Sequence, residues 1–224
     1  MWSAGDALTE NPELLLSLVS RRSAVATLAV ALASGFPLGS RQARAQNATI
    51  TKDDILNDPA APVGGNLKGD VTIVAFLDYN CPYCKQSAPD LDRIVNVDGK
   101  IRLVYKDWPI LSDASVHGAQ LALAAKYQNK YEVAHAALMG IPGRRIARER
   151  MEAAIRSANL DFAQLNRDLQ AHKSDIEALL RRNIAQADAL GLRGTPTYLV
   201  GPFRTSTLDY EAFKKVVAEA RERQ

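Results

Sequence analysis

Val71-Thr72-Ile73-Val74-Ala75-Phe76-Leu77-Asp78-Tyr79-Asn80-Cys81-Pro82-Tyr83-Cys84 runs from a continuous apolar segment straight into two cysteines, the only two in the chain. The β-branched run, bounded by Gly69-Asp70 and by the cysteine motif, predicts a buried strand. Two thiols at this spacing close a very small loop, which stabilises by only about 2 kcal/mol before strain is subtracted. A strained disulfide is also easier to reduce. A redox-active pair therefore fits better than a structural staple. If a helix starts at the motif, Cys81 sits where unpaired N–H groups and the helix dipole favour a thiolate. Pro82 suits the first helical turn, since its missing N–H would have no partner there. Cys84 then shares a face with Ala88, Leu91 and Val95, which predicts a buried, resolving thiol. A zinc half-site would need two further ligands, and His117, His135 and His172 show no paired spacing, so no metal site is expected.

The N-terminus predicts an oxidising destination. Arg21-Arg22 precede the apolar stretch Ala24–Ala33, and Ala43-Arg44-Ala45 follows as a small-x-small cleavage pattern. Residues 1–45 are therefore expected to be a removed signal peptide, with general secretion favoured over twin-arginine export. The apolar core of that leader is too short to span a bilayer comfortably, and no other stretch approaches membrane length. The mature chain is thus expected to be periplasmic and to have no membrane span. The formal net charge is +3, close to balance, and offers no argument for nucleic-acid binding.

Outward from the motif, Pro89 lies within the expected active-site helix and should kink it. Ile101–Tyr105 reads as a second strand, and residues 112–189 read as helical, with a break at Pro142-Gly143. The last of those helices is expected to open on a capping box, Ser174-Asp175-Ile176-Glu177, and to end at Gly191. Thr197–Val200 and Phe203–Thr205 read as a hairpin, followed by a terminal helix capped by Asp209. Residues 46–70 read as an N-terminal segment containing a loop over Ala60–Asn66.

In this order the chain resembles the DsbA-like group of thioredoxin-fold thiol–disulfide oxidoreductases, an α/β thioredoxin fold carrying an inserted all-helical domain. Cys84-Lys85-Gln86-Ser87-Ala88-Pro89 resembles the family's second cysteine and the proline after it. Gly191-Leu192-Arg193-Gly194-Thr195-Pro196-Thr197 is similar to the segment ending in its cis-proline. Phe76–Cys84 together with Lys106-Asp107-Trp108-Pro109-Ile110-Leu111 is similar to a secreted branch that includes the suppressor-of-copper-sensitivity proteins. The resemblance implies that residues 71–111 and 190–224 form the thioredoxin fold and 112–189 the helical insertion. It implies that Cys81 and Cys84 are catalytic, that Thr195 and Pro196 face a bound client chain, and that Pro82 and Tyr83 tune the motif. The family's buried acid six residues before the first cysteine is here Ala75, which leaves Asp78, or Lys106-Asp107, as candidates for proton handling.

The expected activity is exchange of disulfides with cysteine-bearing client proteins, the pair being renewed by a membrane redox partner. The redox-active disulfide would be the sole prosthetic feature, with no other cofactor. The short segment ahead of the first strand carries no sustained heptads, which points to a monomer. The direction of electron flow stays open between oxidase, isomerase and reductase. Two alternatives use the same thiols: Cu(I) held by both sulfurs, which suit that soft ion, and a glutaredoxin-like reductase dependent on glutathione.

Overall fold

The computed structural model describes residues 50–223, which belong to one compact unit. The expected signal peptide, 1–45, lies outside the described residues. A five-stranded sheet forms the centre, in the order β1-β3-β2-β4-β5. The apolar run is β2 (Val71–Leu77), and β3 (Ile101–Asp107) pairs with it in parallel, Val71 opposite Ile101 and Leu77 opposite Asp107. β4 (Thr197–Val200) lies antiparallel on the other side of β2, and β5 (Phe203–Thr205) closes the hairpin. β2 reads as uninterrupted apolar residues because both of its faces are covered.

Two features of the N-terminal segment differ from the sequence reading. Part of the expected loop over Ala60–Asn66 is an edge strand, β1 (Val63–Gly65), antiparallel to β3. Its two glycines have little strand propensity; the free edge of β3 recruits it, helped by the Tyr105 N–H donating to Pro62 O at 2.9 Å. A short helix, α1 (Lys52–Leu56), precedes it and carries a capping box, in which Thr51 accepts from the Asp54 N–H and the Asp54 carboxylate accepts from Thr51.

Helix α2 (Pro82–Asp98) starts at the motif, runs on through Pro89 and ends at Gly99, whose φ of 69° makes a left-handed cap. Its buried face, Cys84, Ala88, Leu91 and Val95, packs with α8 (Tyr210–Glu222) against the β2–β4 side of the sheet. Asp209 caps α8 through the Ala212 N–H, as its position before an apolar-periodic run predicts. Arg221 on α8 binds both Asp70 and Asp98, tying the ends of the two helices to the start of β2. The opposite sheet face, with Val74, Phe76 and Val104, is covered by Ile55 of α1, Trp108 and Ala187.

Between β3 and β4 the chain forms α3 (Asp113–Ala125), a 3₁₀ turn (Lys126–Gln128), α4 (Tyr131–Met139), α5 (Arg148–Ser157), α6 (Phe162–Ala171) and α7 (Lys173–Ala189). α3 is the hub, packing on α4, α5, α6 and α7. Gly118 lets it lie directly over the loop before Cys81, since a Cβ there would sit 3.0 Å from Met151 Sδ and 3.3 Å from Tyr79. The capping box expected at Ser174 is absent: α7 begins two residues earlier, with His172 as its N-cap and no side-chain cap bond. His172 also ends α6, so Ser174 is already inside the helix and cannot cap it. No helix among the described residues is long and apolar enough to cross a membrane.

Candidate active site

The strand-to-helix junction builds the site. Cys81 is the N-cap of α2, with extended φ and ψ of −79° and 117°, and Pro82 occupies the first turn. Its sulfur accepts from the Cys84 N–H at 3.3 Å, as a capping serine oxygen would. Both cysteines are free thiols; Cys81 is 3% exposed and Cys84 fully buried. The two have been driven apart electrostatically. The Cys84 thiol donating to Cys81, together with the Thr195 side chain and backbone N–H groups, lowers Cys81 from 9.0 to about 6 against the opposing effect of burial. Burial, reinforced by the neighbouring Cys81 sulfur, pushes Cys84 far above the ordinary thiol range. One sulfur is poised to ionise and the other to keep its proton.

The cis-proline segment comes to the same place from more than a hundred residues away. The Thr195–Pro196 bond is cis, and the Cys81 thiol donates to Thr195 O at 3.1 Å. The Thr195 hydroxyl is buried with no hydrogen-bond partner, and its side chain favours ionisation of Cys81. Tyr83 is 60% exposed. It lines two grooves at once. One, of about 750 Å³, lies between α2 and the end of α4, with Pro82, Pro89, Met139 and Arg144 on its walls. The other, of about 740 Å³, follows Gly191–Thr197 and Arg204–Leu208.

Asp78 is buried, yet both its oxygens are committed to main-chain donors. Oδ1 accepts from the Asn80 N–H at 2.7 Å, and Oδ2 from Ile110 and Leu111 at 2.8 and 3.0 Å. Three main-chain donors on one carboxylate fix the shape of the loop before Cys81. Lys106 and Asp107 point to opposite sides of the sheet, as strand neighbours must. Lys106 lies under the far face, 3.9 Å from Asp58, and burial lowers it to about 8. Asp107 lies on the α2 side, where both oxygens accept from Tyr131 OH at 3.1 Å, and burial raises it to about 7.

Sequence reasoning missed Asn80. Its side chain accepts from the Ile146 N–H at 2.6 Å and donates to Ser112 Oγ at 2.9 Å, with a longer contact to Ile146 O. The residue next to Cys81 therefore holds both the start of α3 and the loop before α5. The pattern Asp78-x-Asn80 does signal an Asx turn, but nothing local reveals the distant half.

A family model described as Thioredoxin matches residues 57–219. Among solved structures, the chain is similar to a thioredoxin-like oxidoreductase from Silicibacter pomeroyi DSS-3, with 39% identity and a TM-score of 0.72 over 77% of this chain and 99% of that one. It is similar to the thiol-disulfide exchange protein alpha-DsbA2 from Wolbachia pipientis, with 29% identity and a TM-score of 0.70 over 75% and 90%. It is also similar to the catalytic domain of Proteus mirabilis ScsC, with 25% identity and a TM-score of 0.66 over 76% and 94%. The curated relatives it matches are longer. A Na(+)/H(+) antiporter NhaA 1 from Salinispora arenicola is 27% identical over 162 residues, and the chain spans about a quarter of the length of such proteins, 24% in this case.

Proposed function

The chain belongs to the thioredoxin family, in its DsbA-like group, and from that premise we propose that it is a protein thiol–disulfide oxidoreductase working through Cys81 and Cys84. In the oxidised protein a client thiolate attacks Cys81 Sγ. The Cys81–Cys84 bond breaks, the client–Cys81 bond forms, and Cys84 leaves and takes up a proton. A second client thiolate then attacks the client sulfur of this mixed disulfide and expels Cys81 as a thiolate. The client has lost two electrons to the pair. The reverse sequence reduces a client disulfide.

The observation that carries this reading is the placement of the two sulfurs: Cys81 caps α2 and accepts from the Cys84 N–H at 3.3 Å while Cys84 is fully buried, which lowers Cys81 to about 6 and raises Cys84. It supports Cys81 as the sulfur that attacks and leaves, and Cys84 as the one that resolves. A stabilised Cys81 thiolate favours the dithiol form and hence disulfide donation. About 6 lies between the ~3.5 of a strong oxidant and the ~7 of thioredoxin, so the potential is expected between about −120 and −270 mV. Thr195 and Pro196 would pair with the client backbone beside Cys81, and Tyr83 would contact the client on either side. The reading includes export by the 1–45 leader, work in the periplasm as a monomer, and renewal by a membrane redox partner.

Insulin reduction and oxidation of a dithiol peptide test the proposal. Cys81→Ala should abolish both, and Cys84→Ala should accumulate client mixed disulfides. Activity retained in Cys81→Ala would sink it.

A further inference from the structure

Four arginines fall within seven residues, Arg144, Arg145, Arg148 and Arg150, all exposed, with Glu149 the one acid among them. In sequence they are 60 residues from the cysteines. In space they are attached to them: the Asn80 side chain takes the Ile146 N–H at 2.6 Å, which fixes the middle of this loop to the residue preceding Cys81. Arg144 shares one groove with Pro82 and Tyr83 of the motif. Lys85, on the same groove, donates to Ile141 O at 2.6 Å and braces the loop from its other end.

The charge around the motif is one-sided. Asp92 is the one acid among the residues lining that groove, and burial raises its pKa above the usual carboxylate value. The groove on the other side of Tyr83 carries Arg193 and Arg204 and no acid among its lining residues. Glu152, the next acid along α5, is engaged by Arg156 at 3.2 Å and His117 at 3.2 Å. The backbone bears on how the loop can be altered. Arg145 has a φ of 56°, a left-handed conformation that glycine or asparagine adopts more cheaply.

Resting on the exchange activity proposed above, we infer that this basic loop is a docking surface for clients whose reactive cysteine is flanked by acidic residues, drawing their carboxylates alongside Tyr83 before sulfur meets sulfur. Such recruitment acts on the encounter. It raises the second-order rate constant and fades as salt screens it.

The test uses the oxidised protein and three otherwise identical dithiol peptides whose cysteines are flanked by Glu, Gln or Lys. Stopped-flow protein fluorescence follows the exchange at low and at raised ionic strength. At low salt the Glu peptide should react about tenfold faster than the Gln peptide, with the Lys peptide slowest. The Glu-to-Gln ratio should fall toward one in raised salt and in a variant carrying Arg144→Gln, Arg145→Gly and Arg148→Gln. Glycine suits the left-handed site, so that variant removes charge without straining the loop. Arg181→Gln on α7, a charge change outside this loop, should leave the ratio as it is. A ratio of one in the native protein, or a ratio untouched by the triple variant, overturns the inference. Binding to phosphatidylglycerol vesicles that needs the same arginines, together with a peptide ratio of one, would assign the surface to a membrane and also overturn it. If the Gln peptide is oxidised normally and only the ratio fails, the exchange activity stands; if no peptide is oxidised, that reading has failed first.

Discussion

Lowering the pH through the Cys81 titration should change how many protons accompany the two electrons that reduce the pair. Cys81 titrates near 6 and Cys84 stays protonated. Above pH ~6 the reduced form therefore holds one thiolate, and reduction takes up a single proton, on Cys84. Below it both sulfurs are protonated, and reduction takes up two. A tenfold change in the equilibrium constant of a two-electron couple is about 30 mV, so the potential should climb about 30 mV per unit as the pH falls from ~8 to ~6, then about 60 mV per unit. The sign follows from linkage: a depressed folded-state pKa stabilises the reduced fold fully above the ordinary thiol value of 9.0, and that contribution is lost as pH falls through about 6. Equilibration in glutathione buffers across this range, with acid quenching and alkylation, gives the slope. A two-proton slope from pH ~6.5 to ~8.5, breaking only near 9, would refute the claim that the helix start and Cys84 activate Cys81.

The same figures separate attack from departure. At pH 7 a thiol of pKa about 6 is about nine-tenths thiolate, against about one-hundredth at 9, a gain of about ninetyfold. Falling nucleophilicity returns about twentyfold of this, so Cys81 attacks only a few times faster than an ordinary cysteine. The larger benefit is as a leaving group, which favours release of an oxidised client.

Removing the largest cause of the shift, by Cys84→Ala, should raise Cys81 by about one to two units, since a hydrogen bond to a charged group contributes about 1.5–3 kcal/mol; ultraviolet thiolate titration reads this directly. Thr195→Val should raise it by about half to one unit, with Thr195→Ser restoring the native value, because the buried Thr195 side chain favours the Cys81 thiolate. Asn80→Ala should lower stability in urea by about 1–3 kcal/mol by leaving the Ile146 N–H without its acceptor; an unchanged midpoint would show that water replaces it. Asp107 has a raised folded pKa of about 7. Its protonated form therefore favours the fold at low pH, and that advantage is lost as pH rises from about 4 through 7, by at most about 4 kcal/mol. Asp107→Asn should flatten stability across that window.

Several features were legible from local pattern alone. The β2 run, the helix start at Cys81, the burial of the Cys84–Ala88–Leu91–Val95 face and the Asp209 cap each depend on residues within a few positions of one another. Periodicity and capping chemistry report such short-range choices well. β1 was not legible, because two glycines become a strand only when the β3 edge is there to bind them. The capping box at Ser174 misled for the matching reason: its four residues have the right chemistry, but α6 leads into α7 through His172 and places Ser174 inside the helix.

The sequence by itself determined that the chain carries a dithiol at a helix start behind a buried strand. Those features follow from neighbouring residues, and no distant contact is needed to specify them. Only the tertiary structure decided the role of Asp78 as acceptor of three amides, the contact of Thr195 with Cys81, and the attachment of an arginine-rich loop to Asn80. Each joins positions tens of residues apart, 66 in the case of Asn80 and Ile146. A one-residue shift in packing would break any of them without altering a single local propensity.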